Sequence, residues 1–228
     1  MSTQTPALTI KRSFPRPDRE WIDLFRGVPT GFVVDARGRT GALDYRIRPL
    51  IEPCAFAGPA VTVQTVPGDN LAPWAALEII KPGDVIVIAT GGAERSSVVG
   101  DLYVGMAKNR GAVAVVTDGL VRDIDGFEEI GLPVFARGLS ANSPEKNGPG
   151  QVGLPIEIGE LTIDAGDILV GDRNGVVVVP RAMIEEVIAH LDAVKTKEAR
   201  MEASIKAGAR SAPWLTEALN RLGVRYVD

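Results

Sequence analysis

Hydrophobic positions change period several times along the chain. "DREWIDLFRGV" places Trp21, Ile22, Leu24 and Phe25 at roughly helical spacing. "PTGFVVDARGR" reads two ways, as a short helix capped by Thr30 and carrying Asp35, or as a strand over Phe32–Val34. From position 57 strands dominate. "GPAVTVQTV" alternates, with Val61, Val63 and Val66 among threonines and a glutamine. "GDVIVIAT" (83–90) is a continuous β-branched run, which predicts a strand covered on both faces. "SVVGDLYVGMAKNRG" (97–111) predicts a helix that turns Leu102 and Met106 inward, with Val98 and Val99 as further inward candidates, and stops at Gly111. "AVAVVTDG" (112–119) predicts a second buried strand. Strand, helix, strand is a βαβ unit, so these strands are expected to be parallel, joined by a right-handed crossover.

A short helix around "IDGFEEIG" and a strand in "PVFARGL" (133–139) continue the alternation. Residues 140–153, "SANSPEKNGPGQVG", predict a long loop. "PIEIGELTI", "DILVGD" and "GVVVVP" read as short strands joined by glycine turns. A long charged helix, "RAMIEEVIAHLDAVKTKEARMEASIKAG", and a second helix in "PWLTEALNRLG" end the chain. Together these elements predict one α/β domain over residues 17–228, layered β/β/α, with flanking N- and C-terminal helices. Residues 1–16 are expected to form a mobile or partner-docked arm.

Composition narrows the function. The chain has 228 residues, 45% of them hydrophobic, enough for a sizeable core. Its formal net charge of −4 lacks the clustered basic surface of a nucleic-acid binder. The apolar runs are too short to span a bilayer, and the first residues do not form a secretory signal, so a cytoplasmic location is expected. One cysteine, Cys54, excludes an internal disulfide framework and reads as a buried, inert thiol. "KPGDVIVI" and "DAGDILVG" echo each other. The Gly-Asp pairs read as tight turns feeding strands, so Asp84 and Asp167 are not assigned catalysis.

Three features suggest chemistry at one edge of the sheet. Gly91, Gly92 and Gly100 loosen the chain before the helix at 101, where free N–H groups would face outward and suit a carboxylate or phosphate. Packing alone also explains such a loop. Arg122 and Asp123, in "GLVRDIDG", follow the next strand, at the edge where open parallel sheets bind ligands. Arg122 offers a planar fork for a carboxylate and Asp123 a hard oxygen for a divalent ion. A solvated surface pair is the plain alternative. Asp101 in the first helical turn complements the helix dipole, yet also lies where a second acid would help hold a magnesium-type ion.

"VVGDLYVGMAKNRGAVAVVTDGLVRDIDG", then "LPVFARG" and "GDRNGVVVVP", resemble the family of the regulator of ribonuclease activity A. That family includes the 4-hydroxy-4-methyl-2-oxoglutarate and 4-carboxy-4-hydroxy-2-oxoadipate aldolases. The likeness runs from about residue 27 to 200. It implies a fold of the phosphohistidine-like swivelling β/β/α type and a pyruvate aldolase using Mg²⁺ or Mn²⁺, assembled as a homotrimer or homohexamer with sites between subunits. By position, Arg122 matches the arginine gripping the pyruvoyl group, Asp123 the metal ligand and Asp101 the acid near the metal waters. The backbone amides of Gly100, Asp101, Leu102 and Tyr103 match those holding the substrate carboxylate. Glu198 or Asp35 of a neighbouring subunit would complete the site. Glu198 has no local motif behind it, and a solvated helix face explains its surroundings equally.

The resulting expectation is a lyase that cleaves 4-hydroxy-2-oxo dicarboxylates to pyruvate and an oxo acid, with oxaloacetate decarboxylation as a side activity. Two alternatives stay open: a non-catalytic regulator that binds a ribonuclease, and another oxo-acid lyase or hydratase on the same site. His190, the single histidine, reads as a surface residue on the C-terminal helix, and Lys146 as an exposed loop lysine within reach of a substrate.

Overall fold

A computed structural model describes residues 7–227. Strand β1 (Leu8–Ile10) leads to helices α1 (Arg19–Asp23) and α2 (Thr30–Ala36). Strands β2 (Arg48–Pro49) and β3 (Phe56–Thr65) precede helix α3 (Leu71–Ala76). Next come β4 (Val85–Ala89), β5 (Ser97–Val99), helix α4 (Asp101–Asn109), β6 (Ala114–Thr117) and β7 (Leu120–Val121). Helix α5 (Ile124–Ile130) is followed by β8 (Val134–Ala136) and β9 (Gly138–Leu139). The last strands are β10 (Gly150–Val152), β11 (Ile156–Ile158), β12 (Leu161–Ile163), β13 (Ile168–Asp172) and β14 (Gly175–Val179). Helices α6 (Ile184–Lys206) and α7 (Leu215–Leu222) close the chain.

The expected parallel unit is present: β3, β4, β6 and β8 are parallel neighbours in that order. Alternation along β4 explains why every one of its residues is buried. Ile86 and Ile88 join Val104, Ala107 and Phe127 in a core beneath α3, α4 and α5. Val85, Val87 and Ala89 point the other way, against Phe56, Phe135, Ile158 and Leu169. A period of two with apolar residues in both phases requires cover on both faces, and the second cover is the antiparallel β13–β14 hairpin and its neighbours. That hairpin buries its other face under α1, α2 and α6 through Phe25, Val33, Val187 and Leu191. Strand β3 joins the layers, since Phe56–Pro59 pair with β13 and Ala60–Gln64 with β4. The fold is therefore mixed α/β, two β layers with helices outside each, as the pattern predicts. The ambiguous segment at 30–36 is the helix α2.

The Gly-Asp echo is a repeated turn. Asp84 accepts the N–H of Lys81 at 2.8 Å, and Asp167 accepts that of Asp164 at 3.0 Å. Asp84 is also clamped by Arg16 through two 2.8 Å bonds. That clamp bears on the supposed arm. Residues 1–6 lie outside the described part, but from Leu8 onward the segment is docked on its own chain. Strand β1 pairs with β10, and Phe14 is buried.

Three other expectations are corrected. Residues 97–99 are a strand rather than the first turn of a helix. Leu102 and Met106 point outward, 71% and 48% exposed, while Tyr103, Val104 and Ala107 are buried. The sequence carries two apolar stripes there, and the stripe bearing the large ring wins because Tyr103 packs edge-on against Trp74 at 5.4 Å. The stretch 140–153 is not all loop, because Gly150–Val152 form β10 between β1 and β3.

The feature that places the site is a small second sheet. After a break, β4 resumes as β5, β6 as β7 and β8 as β9. The short strands keep the parent order, pairing β5–β7–β9 in parallel. Segments leaving β5 and β7 thus emerge side by side.

Candidate active site

Gly100 and Asp101 follow β5, and Arg122 and Asp123 follow β7. The Arg122 N–H donates to the carbonyl of Val99 at 3.2 Å, which sets the two exits in register. Both segments then turn into helices, α4 and α5. Asp123 sits at the N-cap of α5 with φ 66° and ψ 48°, a left-handed backbone uncommon for any residue but glycine and better tolerated by aspartate than by most. Strain of this kind tends to gather at functional sites.

Two glycines let these elements approach. A Cβ on Gly100 would lie 2.3 Å from Asp123 Oδ2 and 3.2 Å from Arg122 Cγ. A Cβ on Gly126 would lie 2.5 Å from Asp101 Cβ. Gly100 has φ −135° and ψ −169°, open to any residue, so space and not backbone freedom demands glycine there.

Arg122, Asp123, Gly100, Asp101, Leu102 and Tyr103 all line one cavity of about 300 Å³. Sequence reasoning placed these six at one site, and the fold brings them together. Arg122 and Asp123 do form the ion pair of the plain alternative, Nε to Oδ2 at 3.2 Å, with side chains 38% and 41% exposed. The guanidinium reaches further, however, donating from Nη1 to Ser143 Oγ at 2.6 Å. Lys146, the exposed loop lysine, lines the same cavity.

Ser143 and Lys146 are held there by a residue the sequence did not single out. Asp69 is buried and accepts the N–H groups of Leu71, Asn147 and Gly148, at 2.8, 2.5 and 3.0 Å. It ties the 140–149 loop to the start of α3, so Asn70 and Trp74 complete the wall. The one signal for this was "PGDN" directly before an apolar helix, a turn carrying an acid.

The glycine loop at 91–92 is corrected. Its amides are not free and do not open the helix, because β5 intervenes. Asp118, buried at the end of β6, takes the N–H of Thr90 at 2.6 Å, that of Gly92 at 2.7 Å and the Thr90 hydroxyl at 2.9 Å. Cys54 is 3% exposed, and burial pushes its thiol up to about 11, in keeping with an inert role. His190 is exposed, its Nδ1 3.1 Å from the carbonyl of Ala36. Asp35 and Glu198 lie on α2 and α6, away from the cavity of their own chain.

Whether a divalent ion suits this cavity is a question of donors. Asp101 and Asp123 offer hard carboxylate oxygens at its wall, and no group of three or more His, Cys, Asp or Glu exists among the described residues. That set fits a magnesium-type ion, which keeps several waters and takes one or two carboxylates. It does not fit zinc, which wants a closed nitrogen and sulfur shell.

Comparison with known proteins agrees with this layout. A family model described as RraA-like, Aldolase/RraA, matches residues 30–178, a span that holds both segments of the cavity. A protein of Halalkalibacterium halodurans, named "Putative 4-hydroxy-4-methyl-2-oxoglutarate aldolase", is 39% identical over 188 residues, 82% of this chain and 88% of its own. A crystal structure of a protein from Pseudomonas syringae pv. tomato superposes with a TM-score of 0.75 at 29% identity, covering 86% of this chain and 96% of the other. Streptomyces coelicolor RraAS2, described as an unusual member of the RNase ES inhibitor RraA protein family, superposes at 0.73 and 29% identity, covering 84% and 98%. With its β-layer fold, its glycine-spaced Gly-Asp and Arg-Asp segments and a family match over most of its length, the chain belongs to the RraA-like (Aldolase/RraA) family.

Proposed function

We propose that the protein is a divalent-metal-dependent carbon–carbon lyase that cleaves 4-hydroxy-2-oxo dicarboxylates to pyruvate and a second oxo acid. The observation that carries this reading is the meeting of Arg122, Asp123, Asp101 and the first amides of α4 in one cavity, with Gly100 and Gly126 required for the approach. The aldolase name of the Halalkalibacterium relative supports it.

Asp123, with Asp101 nearby, would hold Mg²⁺ or Mn²⁺, which when bound supplies Lewis-acid polarisation of the 2-oxo group. The chain's own residues do the rest. The amides of Gly100–Tyr103 at the start of α4 bind the substrate carboxylate, aided by the positive end of the helix dipole. Arg122 faces the 2-oxo oxygen, where negative charge builds as the C3–C4 bond breaks and its electrons move toward the carbonyl. Asp101 accepts the 4-hydroxyl proton through a water, which leaves the departing fragment as an oxo acid. Protonation at C3 then releases pyruvate. Oxaloacetate loses CO₂ through the same charged oxygen, so decarboxylation follows as a side activity.

With two acids at the cavity, a third comes in this reading from a second copy of the chain, through Glu198 or Asp35, in a homotrimer or homohexamer. The test is pyruvate release from a panel of 4-hydroxy-2-oxo acids and oxaloacetate. Chelator should abolish activity and Mg²⁺ or Mn²⁺ restore it. Inactivation by borohydride with pyruvate present, and indifference to chelator, would instead indicate a lysine Schiff base and end the metal reading.

A second reading follows from the Streptomyces coelicolor neighbour: a regulator that binds a ribonuclease. Ribonuclease inhibition equally strong with wild type and Asp123→Asn, and no pyruvate released from any substrate, would favour it.

A further inference from the structure

Six buried side-chain polar atoms have no hydrogen-bond partner among the described residues. Three are the Nε atoms of Arg37, Arg137 and Arg181, whose guanidinium groups meet Val178 O, Asp44 and Asp167 respectively. The other three are Asn70 Oδ1, Trp74 Nε1 and Tyr103 Oη, and all three residues line the cavity described above. Asn70 is 5% exposed and Tyr103 1%. Buried polar atoms are nearly always paired, so three orphans around one cavity mark a place built for a polar guest.

Their chemistry describes that guest. Asn70 Nδ2 donates to the carbonyl of Val98 at 2.9 Å, which fixes the amide and leaves Oδ1 as a free acceptor. Indole N–H is a donor only. Burial raises the Tyr103 phenol far above its ordinary range, so it stays protonated and able to donate. Two neutral donors and one neutral acceptor suit a hydroxyl, which accepts and donates at once. A carboxylate would set negative charge against Asn70 Oδ1, and the cations of the cavity, Arg122 and Lys146, are on its more exposed side.

We propose that Asn70, Trp74 and Tyr103 form a neutral subsite for the alcohol group of the substrate. Indole and phenol donate to its oxygen, and its own O–H donates to Asn70. The subsite sits between α3 and α4, where the Trp74 and Tyr103 rings meet edge-on. It deepens the lyase reading and rests on it, selecting hydroxylated 2-oxo acids over those without the hydroxyl. These are specificity residues that touch the substrate and leave bond cleavage to Arg122 and the acids.

The test uses Tyr103→Phe and, separately, Trp74→Phe, which each remove one donor. KM and kcat are measured for 4-hydroxy-4-methyl-2-oxoglutarate and for oxaloacetate, both with Mg²⁺. The ratio of the two KM values should move about tenfold against the hydroxylated substrate for each lost hydrogen bond. Equal losses on both substrates, or an unmoved ratio, would show that the orphan atoms hold only water or serve packing, and would overturn the subsite. Binding is read independently of turnover by thermal shift. With Mg²⁺ present, wild type should be stabilised more by 4-hydroxy-4-methyl-2-oxoglutarate than by 2-oxoglutarate, and Tyr103→Phe should lose that difference. If wild type keeps this preference but releases no pyruvate, the lyase reading fails while the subsite stands. Equal stabilisation by both acids sinks the subsite whatever the activity.

Discussion

Gly100→Ala offers a sharp test of the site, because it adds one methyl and nothing else. The backbone there suits alanine, so the substitution brings no φ/ψ strain. The new Cβ would lie 2.3 Å from Asp123 Oδ2, an atom at the end of a rotatable side chain. Restoring ordinary contact requires that oxygen to retreat by about 1 Å. Forcing a side chain off its rotamer costs about 0.5–1.5 kcal/mol, and Gly→Ala regains about 0.4–1 kcal/mol from the unfolded chain. The two nearly cancel, so Tm should stay within about 4 °C. Catalysis has no such compensation. A displacement of about 1 Å in a reacting constellation can cost about 10²-fold in rate. The assay is pyruvate release over a Mg²⁺ titration, which should show both a fall in kcat and a weaker Mg²⁺ dependence. Two controls bracket it. Gly105→Ala meets only Ile130 Cδ1 at 3.6 Å, so it should stabilise α4 by about 0.5–1 kcal/mol and leave turnover alone. Gly126→Ala meets Asp101 Cβ at 2.5 Å, which cannot rotate away, so stability and activity should fall together. A Gly100→Ala enzyme with wild-type kcat and Mg²⁺ affinity would refute the role given to Asp123.

Arg122→Lys loses the fork that spans Asp123 and Ser143, so kcat should fall roughly 10²–10³-fold with the fold intact; unchanged turnover would return the pair to the surface. Asp123→Asn should instead raise the Mg²⁺ concentration needed for half-maximal rate, and an unshifted metal curve would argue against ligation. Asp118→Ala strips three hydrogen bonds from the 90–92 loop and should cost about 2–4 kcal/mol in urea unfolding, whereas a loss below about 0.5 kcal/mol would show the loop is pinned elsewhere. The Cys54 thiol, held at about 11 by burial, gains thiolate only as pH rises toward that value, so native protein at pH 8 should resist a thiol reagent that labels it readily in urea; prompt native labelling would contradict this.

The layers and much of the site were legible in the sequence because both depend on short-range pattern. "VIVIA" and "AVVT" carry apolar residues in both phases of a two-residue period, which requires cover on both faces wherever the strands sit. The Gly-Asp and Arg-Asp pairs each follow such a strand, and in a parallel sheet adjacent strand ends are adjacent in space. What pattern could not settle was competition between equal local solutions. Leu102/Met106 and Tyr103/Val104/Ala107 are both helical stripes, and only Trp74, from another helix, decides between them. The amides of "TGG" looked free because their partner, Asp118, is 28 residues from Thr90. Ser143 and Lys146 gave no local sign of the cavity, since Asp69 draws their loop in across 78 residues of chain. The tertiary structure also decided that Asn70, Trp74 and Tyr103 leave polar atoms unpaired in one place. Hydrophobic period is written residue by residue, but hydrogen-bond satisfaction belongs to groups that meet only when the chain has closed on itself.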